Sequence, residues 1–139
     1  MSDIVDIRKP LDILKNALLD SCPSSHLNVL EKWFVSLDQR LLVAQNDVTN
    51  IAYLKSECAK EINKEIQSRR DVREISNIVS AYSYAIYELK KMSGVGYADL
   101  APDWATAFYD SAKGSSDEEI QVLWGKILAG EIAHHGKFY

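Results

Sequence analysis

The sequence predicts an all-α protein, a bundle of about five or six helices with one or two long helices in the middle of the chain. Three observations predict it. From Ser24 to Ser93 the chain contains neither glycine nor proline, the two residues that most often interrupt helices. Apolar residues through that region recur at steps of three and four, the spacing of one helical face. Near the C-terminus, Ser116 followed by Glu119 has the form of a capping box, a helix start signal. At 139 residues the chain is long enough for one domain with its own core. Residues 1–139 are expected as a single helical domain, with an N-terminal helix over 1–22 that packs on the domain in preference to standing as an arm, long helices over 24–93, a C-terminal helical pair over 101–133 and a tail over 134–139.

Taken in order, Ile7, Leu11, Leu14 and Leu18 share a face, with Pro10 tolerated in a first turn. Pro23 breaks that helix, and Ser24 or Ser25 can cap the next. Leu27, Leu30, Phe34, Leu37, Leu41, Ala44, Val48 and Ile51 then form a long apolar stripe. A single helix through to Ser93 would be on the order of 100 Å long. Breaks are therefore expected at Asn46 to Asn50, rich in turn formers, and at Ser68 to Asp71, where the stripe pauses. Lys55, Glu57, Lys60, Glu61, Lys64, Glu65 and Arg69 read as a solvated face of neighbouring opposite charges, Glu65 with Arg69 among them.

Val72, Ile75, Val79, Tyr82, Ile86 and Leu89 make the most regular heptad, widened by Ile78 and Ala85. Three heptads barely suffice for a coiled coil, so packing within the chain is favoured over a seam between two copies. Tyr82, Tyr84 and Tyr87 are read as packing residues with hydroxyls in water. Ser93, Gly94, Val95 and Gly96 open a loop; without a third glycine it is no dinucleotide fingerprint. After Pro102, a short helix carries Trp104, Ala107, Phe108 and Ala112 on one face and stops at Gly114. The Ser116 helix follows, with Ile120, Leu123, Trp124, Ile127 and Leu128 as its apolar stripe. The two should pack as a pair around Trp104, Phe108 and Trp124.

Glu131 falls in the middle of that stripe, where a buried carboxylate needs a partner. Arg73 or Asn77 is the expected partner, fixing the last helix against the heptad helix. The alternative is a metal-assisted hydrolase built from Glu131 with His134 or His135, within one chain or across a dimer. A single E-x-x-H spacing is thin support for it, because bundle metal sites draw on several carboxylates and histidines, and His26 is the only other histidine.

The run Asp103-Trp104, then Phe108, then S-x-E-E-x-Q-x-L-W-x-K-I-L-A-G-E from Ser116 to Glu131, then Gly136 and Phe138, resembles a bacterial family known as domain of unknown function twenty-eight-oh-six. The likeness covers the last third of the chain and extends faintly to Arg73, Asn77 and Ile78. The chain departs from the family at His135, where members have proline, and at Tyr139, where they have serine and continue. The resemblance implies a mostly helical fold in a bacterial protein, with a link to mobile or prophage DNA, and no assigned activity.

Composition excludes several classes. A net charge of -4 leaves no basic surface for nucleic acid; Arg69, Arg70 and Arg73 come closest, interleaved with Asp71 and Glu74. No apolar run approaches the ~18 residues of a membrane span, and MSDIVDIRKP lacks a secretory pattern. Cys22 and Cys58 form no ligand spacing and are expected as reduced thiols in a cytoplasmic protein. No nucleophile, phosphate-loop or zinc motif is present. The reading is a non-enzymatic interaction protein without cofactor or metal, binding itself or another protein through the heptad at Val79 and Tyr82 or the stripe around Trp124.

Overall fold

The heptad from Val72 to Leu89 is consumed inside the chain. In the computed structural model, which describes residues 7–43, 51–92 and 95–135, with side chains over 7–39, 51–92 and 95–133, there are six helices, one carrying the heptad and the other five packed around it. They are α1 (Arg8–Ser21), α2 (Ser24–Val43), α3 (Ile51–Glu65), α4 (Arg69–Lys90), α5 (Pro102–Ala112) and α6 (Glu118–Ile132). Two short strands, β1 (Val95–Tyr97) and β2 (Ala133–His135), pair antiparallel, with Gly96 opposite His134. The fold is all-α apart from this ribbon, which takes the place of the loop expected after Gly94.

Helix α4 is the axle of the bundle. It starts at Ser68, whose Oγ accepts from the Asp71 amide at 3.3 Å, one of the donors a helix start leaves open. Ile75, Ile78, Val79, Ala81, Tyr82, Ala85, Ile86 and Leu89 are all buried, so α4 is enclosed on most of its circumference. Helices α6 and α3 lie along it, and α2, α5 and α1 make smaller contacts. Val79 and Tyr82, weighed as a seam between copies, are thus core residues of one chain. Tyr82 also departs from its expected wet hydroxyl: its Oη is buried without a hydrogen-bond partner.

On the other helices the expected stripes are mostly buried. Ile7, Leu11, Leu14 and Leu18 enter the core, as do Leu30, Phe34 and Leu37 of α2, while Leu27 faces solvent. Val29 and Trp33 join them, and the Trp33 indole donates to the Leu54 carbonyl at 3.0 Å, fastening α2 to α3. The break between α3 and α4 falls at residues 66–68; the break expected at Asn46 to Asn50 lies outside the described residues. Because α3 ends at Glu65, that carboxylate does not pair with Arg69. It binds Lys32 and Asn28 of α2 instead.

Helix α6 departs most from expectation. Its start is Asp117 rather than Ser116: the Asp117 carboxylate accepts from the amides of Glu119 (2.8 Å) and Ile120 (3.4 Å). Its buried face is Gln121, Gly125, Leu128, Ala129 and Ile132, packed on α4 rather than paired mainly with α5. A Cβ at Gly125 would meet Tyr84 Cβ at 2.5 Å, the Ala85 nitrogen at 2.9 Å and the Ala81 oxygen at 3.0 Å. Two of those neighbours are backbone atoms of α4, so only glycine permits this approach. Gly130 has nothing within 4 Å of the same position. Gly125→Ala should therefore lower stability by about 1–3 kcal/mol through forced displacement of α6. Gly130→Ala should be neutral or stabilising by up to about 1 kcal/mol. Thermal unfolding followed by circular dichroism reads both.

Candidate functional site

Turning Gly125 onto α4 fixes the direction of every other side chain on α6. At about 100° per residue, Ile120, Leu123 and Ile127 point away from α4. They are 41%, 54% and 48% exposed, three large aliphatic side chains in a row on the outer surface. Trp124 lies between the two faces and is half-buried, its indole donating to Ser115 Oγ at 3.2 Å. Beside the stripe, Trp104 stacks on Phe108 with centroids 5.3 Å apart. Phe108 meets Trp124 edge-on at 5.4 Å and Tyr82 edge-on at 5.9 Å. The aromatic cluster expected at the C-terminal pair is thus assembled, with α4 contributing Tyr82. A hollow of about 200 Å³ opens over it, lined by Trp104, Ala107, Phe108, Ser111, Trp124 and Ile127.

Beneath the stripe is a polar knot. Asn77 Nδ2 donates to the Lys113 carbonyl at 2.8 Å and to Ser116 Oγ at 3.1 Å. Gln121 Nε2 donates to Asn77 Oδ1 at 3.2 Å and to the Ser115 carbonyl at 3.0 Å. Both amides are buried, and together they satisfy carbonyls of the turn between α5 and α6. Asn77 is therefore a pairing residue, but its partner is Gln121. Glu131, expected on the buried stripe, stands exposed on the outer side of α6, and Arg73 is exposed on α4. The expectation of a Glu131 clasp is overturned because the inward face is set by Gly125 and Ala129, about a third of a turn from the stripe of largest residues. The E-x-x-H geometry also fails: α6 ends at Ile132, Ala133 is extended (φ -85, ψ 134), and His134 and His135 continue as strand β2.

Sequence reading missed a second polar cluster. His26, in the first turn of α2, is fully buried. Its Nδ1 lies 2.6 Å from Tyr109 Oη, and its Nε2 lies 3.1 Å from Asp71 Oδ1 and 3.5 Å from Glu74 Oε1. Burial raises the Tyr109 pKa far above the usual phenol range, so its hydroxyl stays protonated. Asp71 and Glu74 are one turn apart on α4, a visible i, i+3 spacing, but nothing in the sequence ties His26 to them across more than forty intervening residues. Arg69, Arg70 and Arg73 are exposed nearby, Arg70 Nε lying 3.9 Å from Glu74 Oε2. Both cysteines are free thiols; burial pushes Cys58 up to about 12, leaving it protonated and unreactive at neutral pH.

With this geometry in hand, comparison with known proteins assigns a family. The family model described as "Protein of unknown function (DUF2806)" matches residues 40–139. The chain belongs to this family. No curated protein and no solved structure matches the chain. The matched span holds α3 to α6, and with them the Asn77–Gln121 knot, Gly125 and the outer stripe; His26 precedes it. Among the described residues, no helix is long and apolar enough to cross a membrane.

The buried Asn77 should separate cleanly from the exposed Glu131 and Arg73 in mutants. Asn77→Ala strands the Lys113 carbonyl and the Gln121 amide and should cost about 1–3 kcal/mol. Glu131→Gln and Arg73→Ala should each stay within about 0.5 kcal/mol of the wild type. Urea denaturation monitored by tryptophan fluorescence measures all three.

Proposed function

We propose that this is a non-enzymatic helical interaction domain that self-associates through the outer face of α6. The observation that carries the reading is the exposed row Ile120, Leu123 and Ile127 on a helix whose opposite face is already buried. A helix apolar on both sides belongs in the middle of a core, whereas α6 lies at the surface of its chain. Contiguous exposed apolar side chains of this kind are the surface from which protein–protein contacts are built.

A second copy is the occupant that the neighbouring charges favour. Glu119 and Lys126 are both exposed and lie seven residues apart, on the same edge of the stripe. Two α6 helices arranged antiparallel about a two-fold axis near Leu123 lay stripe against stripe. In a two-fold contact residue i meets j and j meets i. Glu119 of each copy then sits beside Lys126 of the other, giving two opposite-charge pairs. The half-buried Trp124 and the aromatic hollow border the same contact on its other edge.

The expected result in sedimentation velocity is a dimer at micromolar concentration for the wild type and a monomer for Leu123→Glu. The variant should keep an unchanged circular dichroism spectrum and, at concentrations where the wild type is itself monomeric, the same melting temperature, since Leu123 points away from α4. Glu119→Lys and Lys126→Glu should each weaken the dimer several-fold, and the double swap should restore it. A wild type that remains monomeric at high concentration would end the self-association reading. A dimer indifferent to Leu123 would remove α6 from it.

A further inference from the structure

We propose that His26, Asp71 and Glu74 form a binding site for a divalent transition-metal ion such as zinc, with Tyr109 orienting the imidazole. The ligand atoms come from two helices: Nε2 from the start of α2 and one carboxylate oxygen each from the first turns of α4, all within 4.8 Å of one another. Around a tetrahedral ion with bonds of about 2.0–2.1 Å, neighbouring ligand atoms stand about 3.3 Å apart. The histidine-to-carboxylate spacings, 3.1 and 3.5 Å, bracket that value.

Hydrogen bonding alone serves one of the two carboxylate contacts well and the other poorly. An imidazole Nε2 carries at most one proton and makes one good hydrogen bond. Here two carboxylate oxygens face the same nitrogen, and the second, at 3.5 Å, is poorly served by it. The dipole at the start of α4 offsets part of that negative charge, and Arg70 stands 3.9 Å from the far oxygen of Glu74. A dication placed between Nε2 and the two oxygens serves all three at once.

The imidazole is also prepared as a ligand. A metal-bound histidine usually gives its other ring N–H to a fixed acceptor, which sets the tautomer and the ring plane. Tyr109 Oη, 2.6 Å from Nδ1, stands where that acceptor is needed. Because the ring is fully buried while the Asp71 and Glu74 side chains are 22% and 18% exposed, the ion would be reached from the carboxylate side. Three protein ligands leave a fourth position toward solvent, where a water completes the tetrahedron. This site is independent of the dimer contact, which lies on another helix.

The test is zinc titration calorimetry on the full, untagged chain after chelator treatment, with Asp71→Asn, Glu74→Gln and a His134→Ala/His135→Ala double variant alongside. The expected result is one zinc per chain at micromolar affinity or tighter, and a melting temperature raised by zinc. Affinity should fall at least tenfold in each carboxylate variant and be retained in the double-histidine variant. Glu74→Gln changes a partly exposed side chain by one atom, so it reports even where Asp71→Asn fails to fold. Wild type that takes up no zinc, carboxylate variants that bind as well as wild type, or loss of binding in the double-histidine variant would each overturn the proposal.

Discussion

The close approach of α6 to α4 is the constraint on which the rest of this structure depends. Helix backbones ordinarily stand 8–10 Å apart because side chains hold them there. At Gly125 no side chain intervenes, and the Cβ position is already occupied by atoms of Tyr84, Ala85 and Ala81. A helix has one rotational freedom about its axis, and this contact removes it. Gln121 is thereby delivered to Asn77, Leu128 and Ile132 to the core, Trp124 to Phe108, and the aliphatic row to the outside. The strand pair belongs to the same consequence: Ala98 N donates to the Ile132 carbonyl at 2.8 Å, tying the chain after α4 to the end of α6.

The amide knot works with that contact rather than beside it. Gly125 and Ala129 define how closely the helices meet, and small residues offer little apolar area to hold them together. Asn77 and Gln121 supply direction instead, because a buried amide displaced from its acceptors loses more than an apolar side chain that slides by the same distance. The acceptors they reach, the carbonyls of Lys113 and Ser115, belong to the turn leading into α6. The entry of the helix is thus secured by hydrogen bonds and its middle by close packing.

These two devices also explain what could be read from the residues alone. The helical fold, the heptad of α4, the α1 face and the aromatic trio were legible because each rests on local periodicity or on large apolar side chains. The facing of α6 was not. Periodicity finds the row of largest apolar residues and assumes that it points inward; here Ile120, Leu123 and Ile127 satisfy the spacing and point outward. The inward row reads Gln, Gly, Leu, Ala, Ile, which no hydrophobicity pattern would select. Gly125 was visible, yet a glycine inside a helix reveals a close approach only when the partner backbone is known. His26 was hidden for a related reason: its partners Asp71 and Glu74 lie on another helix, and a lone histidine among polar neighbours has no signature.

On α6 the small residues Gly125 and Ala129 meet α4 while Ile120, Leu123 and Ile127 face outward, so under the proposed self-association part of this helix's hydrophobic driving force is left for assembly rather than folding. Burying Gly125 and Ala129 contributes little of the ~25 cal/mol per Å² that apolar area supplies. The isoleucines and the leucine of the outer row still have about half of theirs exposed. Under the proposed reading α4 holds the fold together and α6 takes part in two cores, one formed with α4 and a second supplied by another copy. The same logic makes the outer row a poor place for structural mutations to act and a sensitive one for assembly. An alternative in which the row is incidental would need α6 to tolerate a polar replacement of Leu123, the most exposed of the three, without any consequence beyond solubility.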